Sequence, residues 1–339
     1  KIIKGSQSVY QSLRNSDSWS DYFDLLTDYP DLLDFSHKLG NTSLIELPTP
    51  NSNVSILAKC EWENPFGSVK DRTAFILILN YLLDIKRGYR TPGIILEYSG
   101  GSLAISLAKL CSKLSLPLHL VLSDGTAPII VEILKSYGCS ITLVNREQGF
   151  LAVIREAERL ASMNSDFRFL YQHENDLNWK FHEITTGKEI LMQYPSNINC
   201  WIASIGTGGT FSGVFNALLS RNPDLEACAV TPSELPYGSL SAPNGLPKYA
   251  GSGGLGWGIK QRFVAMCASK KISYSTVSYS SALKMIAKVY KETGLRIGSS
   301  AAANYLIANE RASEMQSGTI ITVFACKGSD MEWHKAMQE

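Results

Sequence analysis

The chain has 339 residues, 45% hydrophobic and 19% charged, with a formal net charge of +1. That length and composition suit a globular protein of one large or two medium domains. The near-neutral balance gives no electrostatic case for nucleic acid or a membrane surface. No apolar run approaches the roughly 20 residues of a membrane helix.

The first seven residues lack the apolar core of a signal peptide. Seven cysteines stand singly at 60, 111, 139, 200, 228, 267 and 326. They form no CxxC pair and no His/Cys cluster at zinc spacing, so no metal is expected. An odd count without a framework reads as reduced thiols, and hence a cytoplasmic setting.

Residues 1–35 read as an N-terminal arm. Trp19, Tyr22, Phe23, Leu25 and Leu26 recur there at helical spacing, which predicts a short amphipathic helix packed on the body or on a partner subunit. Beyond it, strands are expected at 54–60, 93–97, 118–122, 140–144, 200–205, 227–230 and 319–324. Helices are expected at 71–85, 103–114, 128–137, 149–163, after 210, and at 281–293 and 300–314. Apolar strands separated by helices predict an α/β fold with mainly parallel sheets covered on both faces. The stretch 232–258, rich in Gly, Pro, Ser and Tyr, breaks the rhythm and reads as a long functional or mobile loop.

Four places carry chemistry. The first is Asn64-Pro65-Phe66-Gly67-Ser68-Val69-Lys70-Asp71-Arg72. Asn64-Pro65 favours a turn, and Gly67 and Ser68 allow close backbone approach and a cap. A lysine there is ordinarily a solvated surface residue. At a helix start, however, the positive dipole end depresses its pKa and favours the neutral amine that a Schiff base needs. The second is Gly206-Thr207-Gly208-Gly209-Thr210, which follows a strand and opens a helix. Its amides can converge on a phosphate, and its spacing is neither that of a P-loop nor of a GxGxxG turn. An amine nucleophile together with a phosphate cradle is what pyridoxal phosphate chemistry requires.

The third place, Glu97-Tyr98-Ser99-Gly100-Gly101-Ser102, is another strand-to-helix turn. It can hold a carboxylate or simply connect two elements. The fourth is Cys326, just past the last strand, where α/β sheets bind ligands; a buried structural cysteine is the plain alternative. Between the halves lies a polar block, Gln172-His173-Glu174-Asn175-Asp176-Leu177-Asn178, followed by His182 and Thr185-Thr186-Gly187-Lys188-Glu189. His182 by itself reads as structural.

Taken together, these elements resemble the cysteine synthase and cystathionine β-synthase family of fold-type II pyridoxal phosphate enzymes. The resemblance runs from Leu39-Gly40-Asn41-Thr42 to about Gly328 and includes Gly294-Leu295-Arg296-Ile297-Gly298-Ser299-Ser300-Ala301-Ala302 as a late glycine–serine motif. It implies two three-layer α/β domains of the tryptophan synthase β type with the cofactor in the cleft between them. The domains would span 53–175 and 176–339, with 36–52 crossing to the larger one, and the protein would be a homodimer acting on small amino acids. The regulatory haem and nucleotide modules of some relatives are expected to be absent.

The resemblance also implies roles. Lys70 would form the internal aldimine and shuttle the α-proton. Gly206, Thr207, Gly208, Gly209 and Thr210 would hold the cofactor phosphate. Cys326 would face the pyridine nitrogen where the family has Ser, a weak neutral partner. Ser99, Gly100, Ser102 and Gln172 would bind substrate. Two departures stand in the turn: Gly101 replaces an Asn that contacts the cofactor, and Tyr98 replaces a Thr, placing a phenol near the substrate. The implied activity is β-replacement on an activated serine through an aminoacrylate, with a sulfide, thiol or amine acceptor. The turn's departures point to a specialised variant. The alternatives are a β-elimination lyase of the dehydratase or desulfhydrase type, and a catalytically weak cofactor-binding or partner subunit.

Overall fold

The computed structural model describes residues 1–235, 261–267 and 271–339. The strands in chain order are β1 (Ile2–Ile3), β2 (Leu44–Leu47), β3 (Val54–Cys60), β4 (Ile94–Tyr98), β5 (Leu118–Ser123), β6 (Ser140–Val144), β7 (Phe167–Phe169), β8 (Cys200–Ser204), β9 (Glu226–Pro232), β10 (Ile272–Val277) and β11 (Gly318–Phe324). They make a seven-stranded sheet ordered β1-β2-β3-β11-β8-β9-β10 and a four-stranded sheet ordered β6-β5-β4-β7. The smaller sheet is parallel throughout, and the larger is parallel from β3 to β10, with β1 and β2 antiparallel at its edge.

The helices are α1 (Val9–Arg14), α2 (Ser20–Leu25), α3 (Pro30–Lys38), α4 (Lys70–Lys86), α5 (Ser102–Lys113), α6 (Pro128–Ser136), α7 (Gly149–Met163), α8 (Leu177–His182), α9 (Lys188–Gln193), α10 (Gly209–Leu219), α11 (Arg262–Ala265), α12 (Tyr279–Thr293), α13 (Ser299–Glu314) and α14 (Asp330–Met337). A π-helical turn, Glu183–Gly187, joins α8 to α9.

Alternation along the strands sorts their side chains onto two covered faces. In the large sheet Ile56, Ala58, Ile202, Cys228 and Ile320 pack with α12 and α13. Their neighbours Leu57, Trp201, Ala203, Ala229 and Ile321 pack with Phe211, Val214 and Phe215 of α10. In the small sheet Ile95, Leu118 and Leu120 face α4 and α5, while Leu96, Tyr98 and Val121 face α7. Each sheet is thus the middle of three layers, an α/β fold with the expected parallel sheets.

The arm packs on the body, one of the two places expected for it: Val9, Leu13, Trp19, Leu25, Leu32 and Phe35 share one core with α4. Each such buried side chain contributes about 1.5–3 kcal/mol, so the arm belongs to the fold. The expected domain start at 53 is corrected. β3 pairs residue for residue with β11 from Gly318↔Val54 to Phe324↔Cys60, so it belongs to the large sheet. The small sheet's first strand is β4. The expected 232–258 loop lies outside the described residues beyond 235. No helix among the described residues is long and apolar enough to cross a membrane.

Candidate active site

The turn before α4 is tied down by its own side chains. Asn64 donates from Nδ2 to the carbonyls of Glu61 and Ser68, at 3.1 Å each, and accepts from Gly40 N at 3.0 Å. The Asp71 carboxylate accepts from Phe66 N at 2.7 Å and from the Ser106 hydroxyl at 2.6 Å, joining α4 to α5. Val69 N donates to Ala325 O at 3.0 Å, just past β11. Lys70 therefore sits on a braced helix start between the two sheets. Burial brings its amine down to about 8, opposed by the nearby Glu97 carboxylate. Desolvation, rather than the helix dipole, is the dominant cause.

The glycine loop connects β8 to α10. Thr207 Oγ1 accepts from Gly209 N and from Asn178 Nδ2, both at 3.1 Å. Thr210 Oγ1 meets His182 Nε2 at 3.2 Å, and His182 Nδ1 meets Thr186 Oγ1 at 2.8 Å. Gln261 Nε2 donates to Gly206 O at 2.9 Å. Gly208 has φ +84°, and a Cβ there would stand 2.7 Å from Val264 Cγ2; a Cβ on Gly209 would stand 2.3 Å from Asn178 Oδ1. Both positions require glycine. Lys70 and Gly206, Thr207, Gly208, Gly209 and Thr210 line one cavity, closed by Val69, Val323 and Ala325.

The chain matches the family described as pyridoxal-phosphate dependent enzymes over residues 35–325. It belongs to that family. It is 30% identical over 299 residues to a cysteine synthase of Staphylococcus aureus, covering 86% of this chain and 92% of that protein. It is 29% identical over 296 residues to an O-acetylserine dependent cystathionine beta-synthase of Bacillus subtilis, covering 86% and 94%. The solved O-acetylserine dependent cystathionine beta-synthase from Helicobacter pylori superposes with a TM-score of 0.76 at 26% identity, covering 87% of this chain and 94% of that one.

The cavity suits the family's cofactor. Main-chain amides and two threonine hydroxyls match a phosphate dianion, and an amine of depressed basicity matches an aldehyde. Two crowded glycines hold the backbone where side chains would close the cradle.

The turn of 98–102 is arranged differently from expectation. Tyr98 is fully buried, on the Leu96 face of β4 rather than beside the cavity. Its ring meets Phe150, Phe169 and Tyr171 edge-on. The expectation of a phenol near substrate is corrected, because alternation along the strand turns residues 96 and 98 the same way. Ser99 Oγ accepts from Gly101 N and Ala104 N, at 2.9 and 3.0 Å, so it caps α5. Gly101 has φ 149°, in the region favouring glycine. Gly100 faces open space, with nothing within 4 Å of a built Cβ. Ser102 opens α5. Gln172 donates from Nε2 to Tyr98 O at 2.8 Å, and its carbonyl accepts from Asn178 Nδ2 at 3.0 Å.

None of Tyr98, Ser99, Gly100, Gly101, Ser102 and Gln172 lines the Lys70 cavity. Neither does Cys326, although its neighbour Ala325 does. Burial pushes the Cys326 thiol up to about 11, which keeps it neutral.

Residues of the polar block without an expected role, and others outside any motif, hold these parts together. Asn178 binds Gln172 and the phosphate loop at once. Beneath α4, Lys59, Glu61, Arg72 and Glu189 form a wholly buried, charge-balanced cluster. Arg72 bonds Glu61 and Glu189, while Lys59 Nζ donates to Glu189 Oε1, Gln193 Oε1 and Thr42 O at 2.9, 2.9 and 2.8 Å. Burial favours neutral carboxyls, but the Arg72 and Lys59 charges outweigh it and hold Glu189 below its ordinary range. The sequence hints were Arg72, two residues past Lys70, and Glu189 at the end of the polar block.

Proposed function

We propose that this chain catalyses β-replacement on an activated serine, with an O-acetylserine-type donor and a sulfide, thiol or amine acceptor. The observation that carries the proposal is the shared cavity of Lys70 and the 206–210 loop. The similarity to a cysteine synthase and to O-acetylserine dependent enzymes supports the choice of donor. Pyridoxal phosphate, when bound, supplies an electron sink that acidifies the substrate's α-carbon and lets the β-substituent depart.

The chain's own residues would do the rest. Lys70 Nζ holds the cofactor's aldehyde end and moves the α-proton; with a pKa of about 8 it is poised to take a proton and return it. The amides of Gly206, Gly208 and Gly209 and the hydroxyls of Thr207 and Thr210 hold the phosphate. The backbone of Gly100 and Gly101 and the Ser102 hydroxyl receive the substrate carboxylate, with Ser99 and Gln172 shaping that turn from behind. Cys326, next in sequence to the cavity residue Ala325, would offer the cofactor's ring a neutral neighbour that does not enforce a positive charge. In this reading the four-stranded sheet presents substrate, the seven-stranded sheet presents cofactor, and the active species is a homodimer.

The test is product mass spectrometry after incubation with O-acetylserine crossed with sulfide, thiol and amine acceptors. Acceptor-dependent formation of a new amino acid is the expected outcome. Pyruvate and ammonia released at the same rate with or without acceptor would establish the elimination alternative instead. Cofactor binding without any spectral response to serine esters would establish a binding protein.

A further inference from the structure

We propose that His182 is a positioning residue for the cofactor phosphate, fixing the Thr210 hydroxyl so that its hydrogen points into the Lys70 cavity. The inference deepens the pyridoxal phosphate reading above and rests on it. His182 ends α8, and Thr210 lies in the first turn of α10. His182 Nε2 stands 3.2 Å from Thr210 Oγ1, and Nδ1 stands 2.8 Å from Thr186 Oγ1. His182 and Thr186 are buried, while Thr210 borders the cavity.

The order of hydrogens along this row follows from its open end. A phosphate dianion only accepts, so Thr210 serves it by donating. The Thr210 oxygen then accepts from Nε2–H, and Nδ1 accepts from the Thr186 hydroxyl. Burial, reinforced by the Arg72 and Lys70 charges, holds the His182 pKa well below its ordinary value, so the ring stays neutral with one donor nitrogen. Thr185 donates instead to Phe181 O at 2.7 Å, which leaves Thr186 as the hydroxyl that meets the ring.

Thr207 is held in the same way, since its oxygen accepts from Gly209 N and from Asn178 Nδ2. Asn178 and His182 stand four residues apart on α8, so they share one face of it. Each serves one threonine of the loop. Both threonine oxygens thus receive hydrogens from behind and keep their own for the cavity. Close packing fixes the distance: a Cβ on Gly213 of α10 would stand 2.7 Å from His182 Cβ. Thr186 belongs to the π turn that follows His182, a rare geometry that recurs at functional sites.

The test uses the full-length chain and compares pyridoxal phosphate with pyridoxal, which brings the same aldehyde to Lys70 and no phosphate. The variants are His182→Met, Thr210→Val and the two combined. Dissociation constants are read from titrations trapped with borohydride, with the mass gained at Lys70 as the signal. His182→Met is expected to raise the constant for pyridoxal phosphate about tenfold, the scale of one lost buried hydrogen bond, and to leave that for pyridoxal unchanged. Thr210→Val is expected to do the same. The combined variant is expected to bind no more weakly than Thr210→Val alone, because His182 acts through that hydroxyl. His182→Met strands the Thr186 hydroxyl; if it does not fold, His182→Met/Thr186→Val removes both polar partners and is read in its place.

A His182 variant with wild-type affinity for pyridoxal phosphate overturns the inference. So does equal weakening towards both compounds, the mark of a merely structural role. So does a combined variant weakened by the product of the two single effects. A wild-type chain that takes up neither compound, and gains no mass at Lys70, overturns the cofactor reading itself. A competent wild type with indifferent variants overturns this inference only.

Discussion

Arg72 Nη1 lies 2.5 Å from Glu189 Oε2, with both side chains essentially unexposed, and the bond joins the helix that begins at Lys70 to α9 of the other sheet's cover. Removing one partner leaves a buried charge without compensation. Glu189→Gln leaves Lys59 and Arg72 facing Glu61 alone. The expected loss is about 3–5 kcal/mol of folding stability, read by urea unfolding with an unchanged m-value. A loss below about 1 kcal/mol, the range of an exposed pair, would show that the cluster is not electrostatically closed.

Lys70 makes a second prediction. Its folded pKa of about 8 lies below the ordinary 10.5, so the native state disfavours the protonated amine. The sign is that the group's stabilising contribution is complete above 10.5 and is lost as pH falls through 8. The same shift governs reactivity. Competitive acetylation of the cofactor-free chain, followed by mass spectrometry, is expected to give Lys70 a midpoint near pH 8 while exposed lysines titrate above about 10. A midpoint shared with the exposed lysines would contradict it.

Glu97 sets part of that value. Its carboxylate, pushed up to about 8 by burial although the Tyr171 and Gln172 amides pull it down, is the group that raises the Lys70 pKa. Glu97→Gln removes the negative charge. The Lys70 acetylation midpoint is then expected to move lower still; an unchanged midpoint would mean that the two groups are not coupled.

The loop glycines can be told apart by their surroundings. Gly209→Ala drives a methyl to 2.3 Å from Asn178 Oδ1. At least about a tenfold weakening of pyridoxal phosphate binding is expected, the effect of displacing a hydrogen-bonded support. Gly100→Ala meets nothing within 4 Å. It should leave Tm and cofactor binding unchanged while raising KM for the amino-acid donor, as kinetics at saturating acceptor would show.

Much of this was legible in the sequence where chemistry and periodicity coincide. The helix expected at 149–163 appears with those bounds, because its apolar stripe is sharp. β10 was not expected, since Ile272–Val277 mixes serines with a half-exposed face at the sheet's edge. α8 and α9 were hidden by polar residues and a π turn that breaks the helical period. Lys70 and the glycine loop stand out as compact motifs. Lys59 and Glu61 do not, because each charge alone reads as surface and only the fold brings them to Arg72 and Glu189. The direction of Tyr98 was misread, because the resemblance put its phenol near the substrate while strand alternation turns it with Leu96, and its partner His173 lies on a different segment that no local pattern connects to it.

The pairing of β11 has a consequence for how the protein is made. This strand lies between β3 and β8, and the carbonyl just beyond it receives the amide next to Lys70. During synthesis the two flanking strands emerge long before the one that joins them. Until residues 318–325 clear the ribosome, the middle of the large sheet stays open and the lysine lacks one wall of its cavity. A chain ending before residue 318 therefore lacks both the strand that joins β3 to β8 and the carbonyl that receives the amide beside Lys70.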